Sequence, residues 1–350
     1  MSKEDLKIII IGGGIAGLSA GINLIRAGYK PVIFERNKNL KEKLCGGILT
    51  QRAIKELDLL QVEYKAILHK PQKINIQYKN KGILTFDNEK EIYIVKRKHI
   101  DQLVLNKYLK LGGRIEYNKN IVEIDYKNNT IKTADKQEYF YDKLLISNGA
   151  NSRFRKELNQ EPLEKVLCIE NKEPLDIVKD NRVATINFLK GKTGYSWELF
   201  SKQEKIQGLG FLGTFEEAIE EYRNIFGEVY NIQGAYVPYG KQPKQSTIKD
   251  IYFIGDAGGY VNPLLAEGIS YSMASSRAIT KIIDKQNYNI DKELRKSISS
   301  YLFLRTLFYL QSDFMMYLIK TNQKKAINIC KSIILSDTYN QITLFDLIKN

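Results

Sequence analysis

Histidine is nearly missing from this chain: His69 and His99 are the only two in 350 residues. That scarcity argues against a histidine-built metal site and against a Ser-His-Asp triad, both of which need imidazoles in number or in company. Cysteine is also scarce. Cys45, Cys168 and Cys330 are scattered, with no CxxC pair, so neither a disulfide framework nor a thiol-based metal site is expected. No stretch approaches the roughly 18 consecutive apolar residues of a membrane span. No signal peptide precedes the first expected strand near Leu6, which leads to the expectation of a cytoplasmic protein. Acidic residues fall short of basic ones, 40 against 54, leaving a net charge of +14. A dense basic tract interleaved with stacking aromatics is nevertheless lacking, so no nucleic-acid partner is expected. Lysine far outnumbers arginine, and Ile and Asn are frequent, as in a general compositional bias. A positive surface of this kind would suit peripheral contact with the anionic inner face of a membrane, or an acidic electron-donor protein, through electrostatic steering.

With 43% hydrophobic and 27% charged residues, what remains is an ordinary globular composition, long enough for a cofactor domain and a substrate domain. Leu6 to Ile11 is an apolar strand, followed at once by Gly12-Gly13-Gly14-Ile15-Ala16-Gly17 and a helical pattern to Ala27-Gly28. A second strand, Pro31 to Phe34, ends at Glu35, 18 residues after Gly17. This is a dinucleotide fingerprint in its required setting of strand, glycine turn, helix and strand. Gly12 permits the turn, Gly14 lets the backbone approach a pyrophosphate, and Gly17 allows close helix–strand packing. A glutamate at the second strand end suits a ribose diol, favouring FAD or NAD over NADP.

A second constellation lies far downstream. The apolar run Ile251-Tyr252-Phe253-Ile254 reads as a buried strand, followed by Gly255-Asp256-Ala257-Gly258-Gly259 and then by Asn262-Pro263-Leu264-Leu265-Ala266-Glu267-Gly268-Ile269. An aspartate at a strand end accepts hydrogen bonds from ribityl or ribose hydroxyls. A glycine opening a helix presents free N–H groups to an anionic or electron-rich ligand.

Taken together these motifs resemble the flavoprotein group of p-hydroxybenzoate hydroxylase-like monooxygenases and geranylgeranyl reductases, and are most similar to the reductase branch. The resemblance rests on the glycine unit with Glu35-Arg36, on Lys43-Leu44-Cys45-Gly46-Gly47, on Arg97-Lys98-His99-Ile100-Asp101, and on Gly255 to Ile269. They occur in the family's order and span residues 5 to about 285. The resemblance implies FAD contacts at Gly12, Gly14, Ala16, Gly17, Glu35, Arg36, Cys45, Gly46, Gly47, Arg97, Val122, Gly255, Asp256, Gly268 and Ile269. It implies a substrate pocket at Tyr195, Trp197 and Pro263, Cys45 as the one catalytic candidate, and no metal. Two departures stand out. Asn148 replaces the family's usual aspartate in Ser147-Asn148-Gly149, and Tyr195-Ser196-Trp197-Glu198-Leu199-Phe200 keeps the aromatics of a Tyr-x-Trp-x-Phe-Pro element but not its Phe-Pro.

The expected fold is α/β, with a Rossmann-like FAD-binding domain, an inserted antiparallel-sheet substrate domain and a helical C-terminal region. Residues 1–72, 96–160 and 241–290 would form the first, 73–95 and 161–240 the second, and 291–350 the third. The implied activity is FAD-dependent reduction of C=C bonds in a polyprenyl lipid or prenylquinone. Two alternatives stay open: an oxygen-using flavin monooxygenase on an aromatic or polyketide-like substrate, and a flavin- or lipid-binding protein without turnover. Only one dinucleotide fingerprint is present, so the external reductant, NAD(P)H or a ferredoxin-like donor, would dock transiently. The large apolar residues of Tyr301–Leu304 and Phe314–Ile319 read as core packing or as a cover for a lipid tail.

Overall fold

A computed structural model describes residues 2–335 and 339, apart from 90–91, 175–182, 190–193, 202–203, 229–230, 287–288, 291–293, 311–316 and 318–320. The chain opens with β1 (Ile8–Ile11), α1 (Ile15–Arg26), β2 (Val32–Phe34), β3 (Ile48–Leu49) and α2 (Gln51–Leu59). All four residues of β1 are buried isoleucines, as a central parallel strand requires. Thr50 caps α2, its hydroxyl accepting from the Ala53 N–H. Next come the hairpin β4 (Lys73–Tyr78) and β5 (Lys81–Asp87), the short β6 (Tyr93–Ile94), and α3 (Arg97–Lys110). Strands β7 (Arg114–Glu116), β8 (Ile121–Asp125), β9 (Thr130–Thr133), β10 (Glu138–Phe140) and β11 (Lys143–Ile146) precede α4 (Phe154–Glu157). Four long strands follow, β12 (Lys165–Pro174), β13 (Val183–Phe188), β14 (Gly194–Phe200) and β15 (Glu204–Phe211). Then come α5 (Phe215–Phe226), β16 (Gln233–Pro238), β17 (Thr247–Ile248), β18 (Ile251–Phe253), α6 (Ile269–Ile283), α7 (Lys296–Leu310) and α8 (Gln323–Leu335).

The cofactor sheet has the order β17-β18-β11-β1-β2-β7, parallel throughout except for β17 against β18. Helices α1, α3 and α6 cover one face, burying Leu18, Ile22, Val104 and Met273 against the strands. The small sheet β10-β9-β8 covers the other, with Ile121, Ile131, Tyr141 and Phe154 between the layers. This three-layer sandwich explains why its strands are near-continuous apolar runs rather than alternating ones.

The second sheet has the order β16-β12-β15-β14-β13-β4-β5. It is antiparallel except where β13 runs parallel to β4. That pairing inserts the early hairpin beside a strand more than one hundred residues later. Helix α5, opened by a capping box of Thr214 and Glu217, packs on one face against Leu167, Ile169, Leu209 and Phe211. The other face looks toward the cofactor domain. Residues 92–95 do not join this sheet: Tyr93–Ile94 pairs with Ile48–Leu49, and the Val95 N–H donates to the Gly47 carbonyl. A two-residue run flanked by such local partners has too little length to join the larger sheet.

In the C-terminal region Tyr301 and Leu304 of α7 bury against Leu264, while Phe303 is exposed. Ala326 of α8 packs on the β4–β5 face of the second sheet. Of Phe314–Ile319, only Tyr317 is among the described residues, and its side chain is exposed. No helix of the described residues is long and apolar enough to cross a membrane.

Candidate active site and cofactor cleft

At the end of β1 the chain turns at Gly12, with φ +103°, a conformation that L side chains rarely adopt. The Gly12 N–H donates to the Phe34 carbonyl at 2.8 Å, locking the turn to β2. A Cβ at Gly17 would stand 2.1 Å from the Gly12 oxygen, so α1 can lie this close to the strand only with glycine there. Ala16 plays a matching part: the space a Cβ on Gly255 would need is taken by the Ala16 methyl, 2.7 Å away. Helix α1 starts at Ile15 with Gly14 as a cap that offers no side-chain acceptor, so its first N–H groups face outward toward any anion. Glu35 is 8% exposed and holds the turn itself, Oε2 accepting from the Gly13 N–H at 2.8 Å and Oε1 from the Asn37 N–H at 3.0 Å. A carboxylate has about four lone-pair sites, so capacity remains for a ribose hydroxyl.

Gly12, Gly13, Gly14 and Glu35 line a cleft of about 690 Å³ that also takes in Arg36, Lys43, Ser147, Asn148, Gly149 and Asp256. Its size falls within the ~300–1,000 Å³ range of cofactor and ligand sites. Lys43 is the informative addition. Its Nζ lies 2.9 Å from where a Cβ on Gly14 would be, so an ammonium stands directly over the glycine turn. The sequence motif Lys43-Leu44-Cys45-Gly46-Gly47 includes Lys43, but the expected FAD contacts there are Cys45, Gly46 and Gly47 alone. Outward N–H groups, a lysine above them and a carboxylate at the second strand end together fit the pyrophosphate and ribose of FAD.

A second, smaller cavity of about 160 Å³ lies between the two sheets. One wall is Cys45-Gly46-Gly47, another is Tyr195 and Trp197 of β14, and a third is Leu265 to Ile269. Gly47 sits at φ +74°, and a Cβ there would fall 2.0 Å from the Val95 oxygen, so the loop can press against β6 only as glycine. The Gly47 N–H donates to the Cys45 sulfur at 3.3 Å. Tyr195 and Trp197 are ring neighbours, 5.8 Å between centroids, and the Tyr195 hydroxyl donates to the Leu265 carbonyl, joining sheet to loop. Gly268 caps α6 and Ile269 is its first residue, so the start of this helix opens on the cavity as expected.

The carboxyl of Glu267 also faces this cavity. Fully buried Arg52 donates to it at 2.6 Å, the Thr50 hydroxyl donates at 2.6 Å, and Arg52 reaches the Tyr301 hydroxyl at 3.0 Å. Burial works to lower the Arg52 pKa, but the Glu267 carboxylate and the rings of Tyr301 and Tyr271 outweigh it and hold the guanidinium charged. An arginine at the second position of a helix gives no sequence signal of such a role. Cys168 and Tyr239 line the same cavity and were likewise unmarked. Burial pushes the thiol of Cys168 and the hydroxyl of Tyr239 up to about 12.

Six expected contacts line neither cavity: Ala16, Gly17 and Gly255, which pack at the glycine turns, and Arg97, Val122 and Pro263. Arg97 is buried, with its Nε 2.9 Å from Asp101, and borders neither cavity, although Cys45 and Asp256 are near enough to stabilise its charge. Val122 offers its carbonyl to Arg153 and is not part of the cleft wall, where Ile121 stands instead. Pro263 is buried in the turn behind Leu265 and does not line the cavity. Among the described residues no cluster of three His, Cys, Asp or Glu side chains is placed to hold a metal ion.

The profile of the family described as pyridine nucleotide-disulphide oxidoreductase matches residues 6–182, half of the chain and the whole of the glycine turn and its cleft. The chain belongs to that family. This oxidoreductase is 23% identical over 342 residues to a chloroplastic geranylgeranyl diphosphate reductase of Arabidopsis thaliana, covering 86% of this chain and 71% of the relative. It is 21% identical over 330 residues to a kynurenine 3-monooxygenase of Legionella pneumophila, covering 79% and 72%. Among solved structures it resembles a geranylgeranyl bacteriochlorophyll reductase-like protein of Thermoplasma acidophilum, with TM-score 0.76 at 14% identity over 98% of this chain and 94% of that one. Fold, family and relatives agree on an FAD-dependent oxidoreductase. The oxidoreductase has no CxxC pair among Cys45, Cys168 and Cys330.

Proposed function

We propose that this oxidoreductase reduces C=C bonds in a polyprenyl chain, carried by a geranylgeranyl-type lipid or a prenylquinone. The observation that carries the reading is the character of the smaller cavity. Ile48, Val166, Ile186, Leu199 and Val237 line it beside Tyr195, Trp197 and Tyr239, and its single carboxylate is already neutralised by Arg52. Such a lining recognises hydrocarbon by burial and offers little to orient a polar ring. A volume of about 160 Å³ suits one segment of a long chain rather than the whole of it. Bound FAD supplies the electron pair. The chain's own groups exclude water, hold the hydrocarbon against the Cys45 loop, and present the α6 N-terminus to the flavin edge, where helix dipole favours negative charge. Cys45, on the wall facing the aromatics, is the candidate proton donor.

The reductant is NAD(P)H or a small acidic redox protein, the latter drawn by the +14 net charge. Access to a lipid would place the protein at a membrane surface.

Flavin reoxidation tests this. The FAD-loaded protein is reduced chemically without oxygen, a geranylgeranylated lipid or prenylquinone is added, and flavin absorbance and lipid mass are followed. Two hydrogens gained per saturated bond, with anaerobic reoxidation, support the reading. A flavin that stays reduced until oxygen enters removes it and turns the search to hydroxylated aromatics, in line with the kynurenine 3-monooxygenase relative.

A further inference from the structure

Behind the wall formed by Trp197 lies a carboxyl group that neither FAD binding nor hydrocarbon binding uses. Trp197 on β14 pairs with Gly208 on β15, and Gly208 pairs with Glu170 on β12, so the three form one row across the sheet. A Cβ on Gly208 would fall 2.2 Å from the Trp197 ring, so the indole lies flat over the glycine and extends toward Glu170. Glu170 is 2% exposed. Its carboxyl is faced by the Trp197 indole N–H and by the main-chain N–H of Cys45. Neither carboxyl oxygen completes a well-formed hydrogen bond, and the Trp197 Nε1 is likewise unsatisfied. Lys172 Nζ stands 3.2 Å from Oε1 and 3.7 Å from Glu42 at the cleft rim.

We infer that Glu170 is a positioning residue of the apolar cavity. Reached across Gly208, its carboxyl holds the Trp197 indole and the Cys45-Gly46-Gly47 loop against each other, and so sets the shape of the space beside the flavin. The inference rests on the assignment of the cavity to the flavin side and not on which substrate fills it. A buried acid facing two N–H donors and an ammonium gains its strongest contacts when ionised, while burial alone favours the neutral form. Burial is the larger influence and raises the Glu170 pKa, with Lys172 opposing it. The other titratable groups around it are Cys168 on its own strand, Cys45 on the loop, Glu42 beyond Lys172, and Tyr222 on α5, itself pushed up to about 12 by burial. On β16 the pairing partner is the uncharged Gln233.

Trp197 is the only tryptophan in the chain, so its emission reports on the surroundings of this one indole. Emission of the full-length, FAD-loaded protein is titrated from about pH 5 to about pH 9, across the range where a buried carboxyl changes charge. The expected result is one transition that E170Q abolishes while retaining FAD. K172M, which removes the opposing charge, moves the midpoint upward. Alkylation of Cys45 by iodoacetamide, followed by peptide mass, accelerates about tenfold or more in E170A and stays near the wild-type rate in E170Q, which keeps an acceptor. A flat wild-type titration, the same transition in E170Q, or unchanged Cys45 labelling in E170A overturns the inference. None of these readouts involves a prenyl substrate, so the inference can fail while the proposed activity stands, and the reverse.

Discussion

Arg52→Met separates the buried network at the cavity edge from everything around it. The methionine fills similar apolar space but removes the donor that lies 2.6 Å from Glu267 and 3.0 Å from the Tyr301 hydroxyl. Arg52 is fully buried and the Glu267 side chain is 8% exposed, so the abandoned carboxylate cannot turn to solvent. Breaking one side of such a pair costs about 3–5 kcal/mol, because the remaining charge is left without compensation. At about 2 °C per kcal/mol for a chain of this size, thermal unfolding should fall by roughly 6–10 °C. Circular-dichroism melts of R52M, E267Q and the double variant measure it. Glu267→Gln keeps the contact with Thr50 while removing the charge, so R52M/E267Q should recover about 2–3 kcal/mol relative to additivity. Gly268 and Ile269 follow Glu267 directly, so R52M should also alter the visible spectrum of bound FAD. A double variant as unstable as R52M alone would refute the argument, since it would show that the loss comes from packing and not from a stranded charge.

Further outcomes follow from single contacts. Gly17→Ala places a methyl 2.1 Å from the Gly12 oxygen, which only a shift of α1 away from β1 can relieve, so the variant should purify without yellow colour. Retained FAD absorbance at wild-type level would contradict the tight packing. Lys43→Ala should weaken FAD binding about 10- to 100-fold, the worth of one hydrogen bond to a charged group, with a smaller salt dependence; flavin fluorescence titration reads it. Tyr195→Phe removes the hydroxyl that donates to the Leu265 carbonyl and should cost about 1 kcal/mol in thermal unfolding. Because burial holds the Cys168 thiol protonated until about pH 12, iodoacetamide near neutral pH should modify Cys45 well before Cys168, and mass mapping decides the order.

Much of the cofactor site was legible because its signals are local. A glycine turn between two apolar strands, an acid at the second strand's end, and a glycine opening a helix each carry their meaning within a few residues, and β1, α1, β2, β18 and α6 lie where those signals put them. Helix α5 carries an equally local signal, a threonine cap with a glutamate three residues on. What escaped reading depends on register. Nothing near Glu170 announces that Gly208 lies beside it and Trp197 beyond, because that row is set by two strand pairings. Arg52 and Tyr301 meet across 249 residues of sequence and have no shared pattern. The parallel junction of β13 with β4 was hidden for the same reason, as was the diversion of Tyr93–Ile94 to β3. Conversely, Arg97 carried a motif and yet lines neither cavity: it pairs with Asp101, an i, i+4 partner on its own helix, and it is Asp101 that stands on the cleft wall.

The cofactor sheet places β18 beside β11 and β1, so residues near 251 complete a wall begun near residue 8. The second sheet is interleaved with it, its hairpin emerging early and its partner strand β13 late. During synthesis, therefore, the cofactor sheet cannot close until every strand of the second sheet has emerged. A nascent chain that has emerged only as far as β16 holds the glycine turn but lacks Asp256 and the start of α6. Long-range pairings of this kind form slowly and leave apolar edges uncovered while they wait. FAD capture should be a late event in biogenesis, and supply of the flavin, by binding only the finished cleft, should govern how much of the newly made chain escapes aggregation.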